Sequence, residues 1–159
     1  MSDTQLLAHL TSARNHVLSV VEGLTEQQMS TPLLPSGWTM TGLLNHLAFD
    51  DERFWISAVL DANPAAIEAL HNGWKSTPMT GEDAVRKYRE QIISSDRVLD
   101  GVDLNAPPRW WPPAAEFGYP PMGDGREVVF RVLAETSVHA GHLDVVRELI
   151  DGHQNVVVN

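Results

Sequence analysis

The stretch from Arg126 to Gly152, REVVFRVLAETSVHAGHLDVVRELIDG, limits what this chain can become more than any other. Apolar residues recur through it at steps of three and four, which predicts one long helix closed by Gly152. Its polar residues are oddly placed for a plain core helix. Glu135, His139 and His142 stand at i, i+4 and i+7, so a carboxylate and two imidazoles share one narrow arc. Leu133, Leu143, Val146 and Ile150 supply the apolar stripe beside that arc. One helix face cannot surround an ion, so a metal site built here needs a ligand from a facing helix.

The facing ligand is expected from Trp38–Leu60, a helix with Thr39 as its cap and Leu43, Leu44, Leu47, Phe54 and Val59 on its buried side. His46 lies among those apolar residues, and Asp50 follows one turn later. Two further helices are predicted, Asp3–Glu22 stopped at Gly23 and Gly81–Gly101. His9 and His16 on the first of these have no partner at metal spacing and read as exposed or partly buried helix residues. The connections are long. Residues 24–37 carry Pro32, Pro35 and Gly37, and residues 61–80 are broken by Pro64, Gly73 and Pro78, with a short helix over Ala65–His71. Residues 102–125 hold six prolines together with Trp110, Trp111, Phe117 and Tyr119, a composition that favours packing over disorder. Four helices with long links predict an all-α fold: a single four-helix bundle domain over residues 1–159 with crossover connections.

Composition narrows the chemistry. The chain has no cysteine, so thiolate ligands, disulfides and a cysteine nucleophile are excluded, and any metal is held by nitrogen and oxygen. Its 21 acidic against 11 basic residues give a formal net charge of −10, which opposes nucleic acid and anionic membrane as partners. No apolar run approaches the roughly 18 residues of a spanning helix, and the N-terminus lacks the layout of a signal peptide. A cytoplasmic protein acting on a small molecule is expected.

His46, Glu135 and His139 together offer two nitrogens and one carboxylate oxygen, a donor set that suits zinc first and leaves nickel, iron and manganese open. Taken alone, Glu135 and His139 are an ordinary i,i+4 pair worth roughly 0.2–0.5 kcal/mol, and His46 alone is an ordinary core histidine. Three such residues on two apolar-striped helices bring the metal reading level with those ordinary roles. For His142 several readings stand open with equal weight: a fourth ligand, a residue behind the ligands or acting as catalytic acid/base toward a substrate, or a histidine merely hydrogen-bonded across the bundle. Asp50 either orients His46 through its second ring nitrogen or is merely solvated. Arg53 and Arg147 are expected to pair with acids such as Asp51, Asp144 or Glu148.

Two segments, SGWTMTGLLNHLAFDDERFW and LAETSVHAGHLDVVRELIDG, resemble the DinB-like, or YfiT-like, superfamily of metalloenzymes. The C-terminal pattern E-T-x-x-H-x-G-H-x-D-x-x-R-E-x-I-D-G is the more specific of the two. The resemblance implies a four-helix bundle with crossover topology and a divalent metal held by His46, His139 and the residue four before it. Many members have histidine at that place. Glu135 instead resembles the mycothiol-dependent maleylpyruvate isomerase branch, although the extra C-terminal domain of that branch is not expected here, so its particular reaction is not carried over. The implied activity is an S-transferase or isomerase that uses a low-molecular-weight thiol, mycothiol or bacillithiol, activated on the metal. A metal hydrolase acting through bound water would use the same residues. A non-catalytic, metal-stabilised dimeric binding module with a contact at Trp110–Trp111 is the reading from a different class, and a homodimer is expected on either reading.

Overall fold

A computed structural model describes residues 1–71, 79–118 and 120–155. The expected breaks at Gly73 and Pro78, and the aromatic Tyr119, lie outside the described residues. All regular structure among the described residues is helical. The first helix, α1, spans Asp3–Val21 and starts with a reciprocal cap: Ser2 Oγ accepts from Gln5 N while Gln5 Oε1 accepts from Ser2 N. Gly23, at φ 75°, takes the left-handed turn that follows. A short α2, Glu26–Ser30, interrupts the first link; it was not legible beside so many prolines.

The second long helix starts as α3, Met40–His46, with Thr39 Oγ1 accepting from Gly42 N at 3.0 Å. It continues without a break as a π-helix over Leu47–Leu60. The short α4, Pro64–His71, is followed by α5, Gly81–Leu99, capped by Thr80. A single turn, α6, covers Ala114–Phe117, and α7 runs Gly125–Asp151 from an Asp124 cap to Gly152 at φ 75°.

Contacts between the helices set their directions. Arg126 near the start of α7 pairs with Asp3 at the start of α1, while Arg147 near its end donates to the carbonyls of Val20 and Glu22. These two helices therefore run parallel. The α3–π helix runs against α7, since Leu60 lies beside Gly125 and His46 lies opposite His139. The α5 helix begins against Glu26, just past the end of α1, and its Asp96 reaches back to Arg14, so it is antiparallel to α1. The order is up, down, down, up. Leu60 and Gly81 therefore lie at opposite ends of the bundle, whereas the other two links join helix ends at the same level. The all-α bundle with a crossover is thus the architecture found.

The core has two apolar clusters. Val17, Leu44, Leu47, Tyr88 and Leu143 belong to one, and Leu6, Leu10, Ile56, Val59, Leu99 and Val132 to the other. A charged layer is set into the same interior. Arg14 grips Glu52 with two hydrogen bonds, Nε to Oε1 at 2.7 Å and Nη2 to Oε2 at 2.6 Å, and a third bond reaches Asp96 at 2.8 Å. Burial opposes the charge on Arg14, but the Glu52 carboxylate outweighs it and raises the guanidinium pKa.

The tryptophan segment folds onto its own bundle. Trp110 N donates to Val59 O at 3.1 Å, Gly125 N donates to Ala106 O at 2.9 Å, and the Trp111 ring lies 6.0 Å from that of Trp55. Both tryptophans pack on the second apolar cluster, so their surface serves the chain's own core. No helix among the described residues is long and apolar enough to cross a membrane.

Candidate metal centre

The three residues singled out for a metal converge between α3 and α7. His46, Glu135 and His139 each offer one ligand atom, and these atoms all lie within 4.8 Å of one another. The His46 and His139 rings meet edge to face, with centroids 5.1 Å apart. Glu135 Oε2 stands 3.4 Å from His139 Nε2, while its Oε1 accepts from Arg131. The donor set, two imidazole nitrogens and a carboxylate oxygen on facing helices, fits a divalent ion with positions left open for other ligands.

Hydrogen bonds at the ring backs decide which nitrogens face the centre. His46 Nδ1 donates to Asp50 Oδ2 at 2.7 Å, which leaves Nε2 with its lone pair. Asp50 is thus the orienting carboxylate rather than a merely solvated acid. His139 turns Nε2 to Glu135 and Nδ1 to His142, whose Nδ1 is 3.3 Å away. His142 stands behind His139, beside the group of three, with its ring 6.3 Å from that of Trp38.

The local electrostatics divide the two histidines. The Asp50 hydrogen bond raises the pKa of His46 despite burial, and the nearby Asp51 and Glu135 add to the effect. Burial lowers that of His139, helped by His46 and His142. A neutral His139 is the form a ligand needs.

Asp51 does not make the ion pair with an arginine that its place in the sequence suggests: it is 2% exposed, and its Oδ2 has no hydrogen-bond partner among the described residues. Burial pushes its carboxyl up to about 8, and the acids Glu135 and Glu52 act in the same direction. The cause is the π-helix. An i→i+5 ladder brings the fifth residue after His46 toward the interior, where a 3.6-residue period would carry it past. Arg53 meanwhile stacks over the Phe49 ring at 4.4 Å, and Arg147 pairs with Asp151 at 2.9 Å. Asp144 takes His16, at 2.8 Å, and that histidine is partly buried.

An all-helical bundle with a histidine–glutamate–histidine group between facing helices has the form of a DinB-like protein. The chain belongs to the mycothiol S-transferase family, whose pattern it matches over residues 5–152. No curated protein matches it.

Proposed function

We propose that this protein is a metal-dependent S-transferase that joins the sulfur of mycothiol to an electrophilic small molecule, with His46, Glu135 and His139 as the metal ligands. The observation that carries the reading is the mutual approach of three ligand atoms in a chain of this family that has no cysteine of its own. A divalent ion in such a donor set supplies Lewis acidity, which lowers the pKa of a bound thiol toward neutral pH.

The chain's own residues hold and aim. Asp50 keeps the proton of His46 on Nδ1, so Nε2 faces the centre in one tautomer. His142 accepts from His139 Nδ1–H in the same way and holds Nε2 toward Glu135. With Nδ1 accepting, the proton of neutral His142 sits on its outer nitrogen, where the exposed ring can donate it to a bound substrate; this is its acid role. Arg131 neutralises the Glu135 oxygen that does not face His139. Zinc is the ion this donor set favours among those of ordinary availability. Because the cytoplasm keeps small thiols reduced, the reading also places the protein there.

The test starts from full-length protein made without a metal-affinity tag. Mass spectrometry should find close to one divalent ion per chain, lost when His46, Glu135 or His139 is changed to alanine. The loaded parent should consume mycothiol in the presence of a chloroarene, releasing chloride, and the three variants should not. Unchanged metal content in all three variants would remove these residues as ligands. Metal-dependent ester hydrolysis indifferent to added thiol would instead favour the hydrolase.

A further inference from the structure

The outer face of α7 carries a second pattern that the metal site does not use. Seven large hydrophobic side chains are exposed among the described residues, and four of them, Phe130, Val138, Val145 and Leu149, lie on this one helix. Ala134 and Gly141, also exposed, fill the gaps between them, giving steps of 4, 4, 3, 4 and 4 with no charged residue in the line. The helix already buries Val128, Val132, Thr136, Ala140, Leu143 and Val146 on its inner side. A helix that is apolar on its outer side as well has a partner there.

We infer that the partner is a second copy of this chain, docked antiparallel along α7 about a two-fold axis between Val138 and Gly141. The stripe is complementary to itself about its own midpoint. Setting Val138 against the partner's Gly141 also sets Ala134 against the partner's Val145, and Phe130 against the partner's Leu149. This is the reciprocal matching that an isologous interface requires.

Small side chains fall at the centre, and a Cβ placed on Gly141 would meet nothing within 4 Å, so the backbones can approach closely. The bulkiest side chains fall at the ends. Steps of four dominate, so the stripe follows the i±4 ridge, and two such ridges interlock with the helices crossing at about 50°. Crossing helices diverge toward their ends, where Phe130 and Leu149 fill the wider gap.

The exposed stripe and its flanks offer on the order of 500 Å² per copy, or about 1,000 Å² for the pair, the lower edge of what a stable dimer needs. Glu135, His139 and His142 lie along one flank of the stripe. A two-fold axis keeps that flank on the same side in both copies, so the two candidate metal sites open on one edge, each beside the partner's α7.

Light scattering on the full chain, of 17.6 kDa, should give twice that mass, with or without a chelator. The chelator arm separates this proposal from the metal reading, because the stripe contains no ligand. Val138→Glu should reduce the mass to one chain with its helical circular dichroism retained, and Leu149→Lys should do the same. Ile93→Glu, an equal change at an exposed residue of α5, should leave two chains. Should Val138→Glu lose its helicity, an equimolar mixture of the single variants Val138→Cys and Gly141→Cys decides, since each otherwise cysteine-free chain then carries one cysteine and oxidation can only link two copies. A parent of one-chain mass overturns the proposal. So does a two-chain mass that survives both stripe variants, or a mixture of the two cysteine variants that remains unlinked.

Discussion

Asp51 shows how far one side chain's behaviour depends on its surroundings. Its carboxyl titrates near 3.8 in the open chain and about 8 in the fold, so the native state binds the extra proton between those values. A raised acid pKa therefore makes metal-free stability fall as pH rises through that window, with a slope of up to about 1.4 kcal/mol per unit. His46 acts with the same sign: the stabilisation from its Asp50 contact is whole below 6.5 and is lost as pH climbs through its raised folded value. Denaturant melts of metal-free protein across this range should show the decline, and Asp51→Asn should flatten most of it. An identical slope in that variant would show that Asp51 is not the group titrating. Asp50 is predicted to act on the ion through His46. Asp50→Asn should weaken zinc binding by about 10–100-fold while leaving the stoichiometry at saturation unchanged, as titration calorimetry would read.

Elements place these residues where no single helix could. The α3–π helix supplies His46 from its α-helical part and Asp51 from its π part, so the change of ladder falls at the candidate site itself. The close fit between the end of this helix and the start of α7 depends on Gly125. A Cβ there would lie 2.9 Å from Leu60 Cδ1 and 3.2 Å from the backbone of Leu104. The Leu104 backbone is held in place by Arg126 N, which donates to its carbonyl at 3.1 Å, so it cannot easily give way. Gly125→Ala should accordingly cost about 1–3 kcal/mol through overpacking, despite the better helix propensity of alanine. Thermal melting would register this as a loss of several degrees; a gain in stability would mean that the joint is looser than its distances imply.

Across the whole molecule, the Arg14–Glu52 pair joins α1 to the π-helix in the interior and reaches Asp96 on α5. Removing Glu52 leaves the buried Arg14 charge with only the exposed Asp96, so Glu52→Gln should cost up to about 3–5 kcal/mol. Changing Arg14→Met and Glu52→Leu together should recover much of that loss, because the apolar pair has no ion to desolvate. Urea unfolding of the single and double variants measures both, and a double variant less stable than the single would contradict this reasoning. The long helices were legible to within one or two residues because their stripes repeat at a helical period and their caps, Thr39 and Gly152 among them, are local signals. The short α2 and α6 were not, since a single turn has too few residues to show a period.

By itself the sequence determined four amphipathic helices, the absence of thiolate ligands, and the i, i+4 spacing that sets Glu135 beside His139. Those properties are carried within one helix or by composition, and need no knowledge of what packs against what. Only the tertiary structure decided that His46 stands opposite that pair, that Asp50 orients its ring, and that Asp51 and the Arg14–Glu52 pair are buried. Each of these depends on the rotation and register of one helix against another, and for Asp51 on a π ladder that side-chain periodicity does not announce. The unpartnered stripe on α7 belongs to both levels: its spacing is written in the chain, but its exposure appears only once the other face of the helix is seen to be filled.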